Sequence, residues 1–284
     1  MKAPPFAYAR ASALAEVFDL LEQYGDAAKI LAGGQSLMPT LNMRLSAPEL
    51  LIDISRLTQL AGIRVMAGHV HIGALTTHSE IGDSVEIRRH LPLLTDAAQY
   101  IAHPAIRNCG TFGGSLAMAD PAAEWPACCV ALDAQFVLVD KSGTRTVAAD
   151  AFFQGLYTTA LRADEVLTEI IIPIPPAGSR HVFLELARRR GDYAIVGVAA
   201  LAIITAGVVK NLRLTYLGAG DKPAQARNTC QLIVFKGLSD NSLKEALGLL
   251  ASELDPSADL YSSAATKLHL ARVLTTRAVK QLVA

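Results

Sequence analysis

Only four cysteines, Cys109, Cys128, Cys129 and Cys230, occur in the 284 residues, and no two form a CxxC pair. An iron–sulfur cluster needs four thiolate ligands in suitable loops, and no such motif is present. No cysteine joins a histidine at zinc spacing either. The thiols read as buried or free groups of a reducing compartment. Charge is also scarce: 18% of residues are charged, and 26 basic side chains balance 26 acidic ones. That leaves no electrostatic case for nucleic acid or an anionic membrane. The opening Met1-Lys2-Ala3-Pro4-Pro5 starts no apolar signal core. The longest apolar run, Ala194 to Val209, is interrupted by Thr205 and falls short of a membrane span. The expectation is a soluble, cytoplasmic protein.

What the chain has is apolar content, at 51%. It can bury a sizeable core, and its length suits one large domain or two ordinary ones. Near-zero net charge together with this apolar content hints at surface covered by partners.

The first unit is read as β-α-β. Leu14, Val17, Phe18 and Leu21 fall at helical spacing after Ser12, and Gly25 is placed to end the helix. A short strand, Lys29 to Leu31, runs into Gly33-Gly34. A helix begins in Leu37 to Leu45 with Pro39 in its first turn, and Leu50 to Ile54 is a strand. In the second unit, Ile63–Met66 and Val70–Ile72 flank Ala67-Gly68 as a hairpin. Thr77-His78-Ser79-Glu80 fits a capping box. A helix over Leu91 to Ile101 leads into a glycine-rich loop, Asn108 to Ser115, and then a helix from about Ala122 to Leu132. The strand pair Phe136–Val139 and Thr144–Val147 and the strand Val166–Ile174 close the unit. Pro173, Pro175, Pro176 and Gly178 mark a boundary. Strands at Val182–Ala187, Ala194–Ile204 and Leu212–Leu217 follow, then helices after Pro223, one with the stripe Leu243, Ala246, Leu247, Leu250.

Two segments carry candidate chemistry: Ala32-Gly33-Gly34-Gln35-Ser36 and Thr111-Phe112-Gly113-Gly114-Ser115. Glycine allows positive φ and close approach of a ligand. Successive N–H groups can form an anion nest, helped by a helix N-terminus behind it. A tight turn explains either pair taken singly. Neither segment is a Walker loop or a G-x-G-x-x-G fingerprint. His69 and His71 share a strand face, but nothing joins them at metal-ligand spacing. Arg188-Arg189-Arg190 reads as a solvated or interface charge run. Asp120-Pro121 reads as a helix start.

Leu31 to Leu45, LAGGQSLMPTLNMRL, and Ile101 to Pro126, IAHPAIRNCGTFGGSLAMADPAAEWP, closely resemble the two flavin loops of the FAD-binding medium subunits of molybdenum hydroxylases. These include the medium subunits of aerobic carbon monoxide dehydrogenase and quinoline 2-oxidoreductase and the FAD domain of xanthine dehydrogenase. Ile72-Gly73-Ala74, Arg190-Gly191-Asp192-Tyr193-Ala194 and the helical C-terminus share the likeness, which runs nearly end to end.

The resemblance implies an α+β fold of the vanillyl-alcohol-oxidase (PCMH) type. Its FAD-binding domain (1–177) has subdomains of about 1–56 and 57–177. A C-terminal domain (178–284) carries a small antiparallel sheet and helices. It implies that backbone donors of Ala32, Gly33, Gly34, Gln35, Ser36 and Leu37 wrap the FAD pyrophosphate. Thr111, Gly113, Gly114 and Ser115 form the second wall. Glu124 matches a ribityl-binding acid, Ile101 an apolar contact near the adenine, and Tyr193 a tyrosine near the isoalloxazine. Ser115 departs from the Asn of many relatives, although both can donate and accept. No residue matches a covalent flavin attachment point, so non-covalent FAD is expected.

The implied function is electron exit. A large partner subunit holds a molybdopterin cofactor and oxidises the substrate. A small partner subunit holds two [2Fe–2S] clusters, and FAD on this chain passes electrons to an external acceptor. The implied assembly is a dimer of heterotrimers. No residue is assigned as a catalytic acid or base, or as a metal ligand. A self-contained FAD-dependent oxidase or dehydrogenase of the same fold is the alternative. The second loop tilts the substrate toward an N-heterocycle over an aldehyde, carbon monoxide or an acyl-CoA; the acceptor stays open.

Overall fold

The computed structural model describes residues 2–284 and has three β-sheets of consequence, each with its own apolar cluster. The first sheet holds β1 (Ala7–Arg10), β2 (Ala28–Leu31) and β3 (Leu50–Asp53), in the order β1-β3-β2 with parallel pairing. Helix α1 (Leu14–Tyr24) buries Val17, Phe18 and Leu21 against it, the face that the helical spacing marked. Gly25, at φ +51°, ends the helix and returns its N–H to Leu21 O. Helix α2 (Leu37–Asn42) crosses from β2 toward β3. Strand β1 was not anticipated. Its side chains are mostly exposed and show no apolar alternation; pairing with β3, Ala7 opposite Leu50, holds it in place.

The second sheet is antiparallel and runs β4-β5-β10-β6-β7. Its strands are β4 (Ile63–Met66), β5 (His69–Gly73), β6 (Gln135–Val139), β7 (Thr144–Ala148) and, beyond the small hairpin β8 (Phe153–Gly155) and β9 (Thr158–Thr159), β10 (Val166–Pro173). Ala67 and Gly68 join β4 to β5 with φ of +51° and +79°, and Met66 pairs with His69. This two-residue turn with positive φ at both positions matches the twist of the strands. Six helices separate β5 from β6: α3 (His78–Asp83), α4 (Val85–His90), α5 (Pro92–Ala98), α6 (Pro104–Arg107), α7 (Phe112–Met118) and α8 (Glu124–Ala131). The capping box at Thr77 is present, with Glu80 reaching back to the Thr77 N–H at 2.7 Å. Short α9 (Ala149–Phe152) places Phe152 edge-on to Phe136 in the core.

The third sheet, β11 (Ser179–Ala187), β12 (Ala194–Thr205), β13 (Val208–Leu217) and β14 (Ala224–Gln225), is an antiparallel meander. Helices α10 (Arg227–Lys236), α11 (Asp240–Glu253) and α12 (Ala264–Val283) cover one face, burying Val196, Val198, Ala200 and Leu214. The other face sends Phe183, Ala199 and Leu217 into the core of the second sheet, against α5 and α8. Strand β12 is therefore covered on both sides. A strand in that position reads as a continuous apolar run rather than an alternation. No helix among the described residues is long and apolar enough to cross a membrane.

Candidate functional site

A cleft of about 630 Å³ opens where the three sheets meet. Every sequence-nominated site residue lines it: Ala32, Gly33, Gly34, Gln35, Ser36, Leu37, Ile101, Thr111, Gly113, Gly114, Ser115, Glu124 and Tyr193. They come from three parts of the chain far apart in sequence, Ala32–Leu37, Ile101–Glu124 and Tyr193.

The first glycine segment leaves β2 at Leu31 and enters α2 at Leu37. Gly34, at φ +70°, makes the turn. The surrounding bonds use its carbonyls: Met38 N–H donates to Gly34 O at 3.2 Å, Thr40 N–H to Ser36 O at 3.1 Å, and the Gln35 amide to Gly33 O at 3.1 Å. Among the described residues, the N–H groups of Gly33, Gly34, Gln35, Ser36 and Leu37 find no acceptor in the protein. Such a consecutive row of donors is the nest that backbone offers an anion.

The second glycine segment is built differently. Thr111 caps α7 and accepts from Gly114 N–H at 3.1 Å, so Gly113 and Gly114 lie in the first turn of a helix rather than in a loop. Phe112 N–H donates to Thr76 O, Gly113 N–H to Ala74 O and Ser115 N–H to Thr111 O. The four N–H groups from Phe112 to Ser115 are thus spent inside the protein. Of the two glycine segments, either of which could have formed an anion nest, the first presents free N–H groups and the second presents a wall. Gly113 is glycine for packing, since a Cβ there would lie 2.5 Å from the Ala74 Cβ. Gly33 is similar, because its Cβ would lie 2.1 Å from Cys109 O. The two segments therefore touch each other, and the cleft depends on that contact.

Glu124 begins α8 and faces the cleft, with Asp120 nearby. Burial, and then the Asp120 charge, hold its carboxyl up at about 7. Asp120 is not a helix start. Ala123 takes the cap position of α8, and Asp120 accepts from Ala122 N–H at 2.9 Å on the cleft wall. Tyr157, at φ +52°, and Tyr193 stand half-exposed or more at the mouth. Burial pushes both phenols up, and the nearby Asp120 adds to it. The segment bearing Tyr193 is seated by Gly191, whose φ is +78° and whose Cβ would lie 2.7 Å from Ala102 O.

Among the cleft residues that sequence reasoning did not nominate are Lys29, His78, Asp120 and Tyr157. Lys29 lies two residues before Leu31, on the same strand face that leads to Gly33. It brings a cation to the cleft, and that alternation was the available signal. The histidines at 69 and 71 are not part of the site: His71 pairs with Glu169 at 3.1 Å, and no metal-holding group occurs among the described residues. Cys128, Cys129 and Cys230 are buried with their thiols pushed up by burial, and Cys109 is exposed.

Residues 4–175 match the family model described as FAD binding domain in molybdopterin dehydrogenase. Residues 181–282 match CO dehydrogenase flavoprotein C-terminal domain. The chain is 38% identical to the 6-hydroxypseudooxynicotine dehydrogenase complex subunit alpha of Paenarthrobacter nicotinovorans, over 98% of this chain and 94% of that one. Its fold superposes with a TM-score of 0.96 on the carbon monoxide dehydrogenase of Hydrogenophaga pseudoflava, at 36% identity, over 99% of this chain and 98% of that one. Against quinoline 2-oxidoreductase from Pseudomonas putida 86 the TM-score is 0.94, at 35% identity over 100% and 98% of the two chains.

Proposed function

The chain belongs to the FAD-binding medium subunits of the molybdenum hydroxylases, and from that premise we propose that it is the electron-exit subunit of such a complex. The observation that carries the reading is the row of unspent N–H donors from Gly33 to Leu37 on a cleft that also gathers every nominated residue. Together with Lys29, these groups suit the pyrophosphate of FAD. The wall from Thr111 to Ser115 sets the width of the cleft. Glu124 and Ser115 offer hydrogen bonds to the ribityl chain, Ile101 offers apolar surface to the adenine, and Tyr193 borders the isoalloxazine end. Residues 1–177 form the cofactor-binding unit and 178–284 the unit that closes its mouth.

Bound FAD supplies one- and two-electron redox chemistry, while the protein supplies binding, orientation and electrostatic tuning. The chain's own part is to hold the dinucleotide without covalent attachment and to shield one end of the cleft. Oxidation of the substrate belongs to a large molybdopterin subunit, and electrons arrive from a small subunit with two [2Fe–2S] clusters. The full assembly is a dimer of heterotrimers in the cytoplasm.

The test is purification of the tagged chain from its native host, with flavin, metal and mass analysis of everything recovered. Non-covalent FAD at one per chain, with a molybdenum chain and an iron–sulfur chain, is the expected result. Recovery of the chain alone, with FAD reduced directly by a substrate, would overturn it in favour of a self-contained flavoenzyme.

A further inference from the structure

His78 is the one histidine of the cleft, and its ring is held in an unusual way. It is 7% exposed, and its backbone N–H donates to Gly110 O at 3.0 Å. The Trp125 indole N–H donates to its Nδ1 at 2.9 Å. An indole nitrogen can only donate, so Nδ1 must be the acceptor and the ring proton must reside on Nε2. Burial, and then the charge of Arg107, hold the imidazole down at about 4, so it is neutral at physiological pH. Trp125 is fully buried and packs edge-on to Phe112, which leaves the pair no freedom to exchange roles.

No acceptor among the described residues meets Nε2. That edge of the ring abuts Gly110, where a Cβ would lie only 2.7 Å from Nε2. Gly110 also lines the cleft. A side chain at residue 110 would collide with the Nε2 edge, and His78 and Gly110 line the cleft together. A neutral donor in this position recognises an oxygen acceptor without changing charge as pH varies.

We propose that His78 is a further cofactor-binding residue, a neutral imidazole locked by Trp125 in its Nε2–H form, which donates to an oxygen of the dinucleotide bound beside Gly110. The proposal rests on the reading of the cleft as an FAD site. Trp125 is then a positioning residue that acts through His78.

The experiment is FAD titration of the full-length chain and two variants, with thermal unfolding of each apo-protein as a folding control. Glutamine places an amide N–H near the position of Nε2, and leucine places none. His78→Leu is expected to weaken FAD binding about tenfold, and His78→Gln to stay within about threefold of wild type. Nitrogen-15 spectra of the wild-type chain supply a second readout that needs no variant. They are expected to show a neutral Nε2–H ring between pH 5 and 8 whose Nε2 resonance moves on FAD addition. Unchanged affinity in His78→Leu, equal losses in both variants, or an Nε2 resonance that ignores FAD would each overturn the proposal while leaving the FAD site standing. Failure of the wild-type chain to take up FAD would overturn both.

Discussion

Glu185 sits on β11 opposite Gly197, and both of its carboxyl oxygens are sealed from solvent without a hydrogen-bond partner. Burial, and then the nearby Glu124, push its carboxyl from 4.5 up to about 8. At neutral pH it is a buried carboxylic acid. Because the folded state keeps this proton to higher pH than the unfolded chain does, protonation stabilises the fold. The contribution is fully present below 4.5 and is lost as pH rises through about 8. At about 1.4 kcal/mol per pH unit, this window amounts to roughly 5 kcal/mol. For a chain of this size that is on the order of 10 °C in melting temperature.

Glu185→Gln keeps the shape and removes the ionisation. Thermal unfolding of wild type and variant from pH 5 to 9 should give nearly coincident melting temperatures at pH 5. A gap in favour of the variant should then open toward pH 9. Two other groups titrate in the same range. Glu124, raised to about 7, also loses stability as pH rises. His78, lowered to about 4, loses stability as pH falls below its ordinary 6.5. Both are present in wild type and variant, so the difference between the two curves reports Glu185 together with its coupling to Glu124. A gap that is constant across pH, or a variant less stable at pH 9, would refute the argument that this carboxyl is buried without a partner.

Gly33→Ala would set a Cβ against Cys109 O, forcing the two glycine segments apart. It should cost about 1–3 kcal/mol in denaturant unfolding, and FAD should be lost on gel filtration; retained stoichiometric flavin would show that the contact does not shape the cleft. Gly114→Ala meets only the Thr111 hydroxyl within 3 Å, so it should unfold close to wild type while still weakening FAD binding, read by flavin fluorescence. Arg145 makes two bonds to the Glu165 carboxylate, at 2.5 and 2.7 Å, and the Glu165 side chain is 1% exposed. Arg145→Met removes the main cation from that buried carboxylate, leaving it the Arg162 N–H at 2.8 Å and the Arg162 guanidinium at 3.9 Å, and should cost about 3 kcal/mol in urea unfolding; a loss under 1 kcal/mol would mean that Arg162 or water takes over the charge.

The features legible in the sequence are those with a local cause. The spacing of Val17, Phe18 and Leu21 marks the buried face of α1, and Thr77 with Glu80 marks a helix start, because both patterns are complete within a few residues. The features that were not legible owe their place to distant contacts. Strand β1 exists because β3 offers it a parallel edge 43 residues away, as the pairing of Ala7 with Leu50 shows. Thr111-Phe112-Gly113-Gly114-Ser115 looks like a loop because glycine disfavours helix by about 1 kcal/mol per residue. The Thr111 cap, the bond from Gly113 N–H to Ala74 O and the tight contact at Gly113 outweigh that preference. The same contacts explain why two similar glycine pairs do different work. Gly113 must be glycine to fit against Ala74, and Gly33 to fit against Cys109, so both pairs are required for reasons unrelated to a ligand. Only the fate of the N–H groups separates them, and that depends on which strands and helices lie behind each segment. A motif of this kind therefore identifies where two parts of the chain meet; which side of the meeting binds the anion is decided by the hydrogen bonds left over after folding.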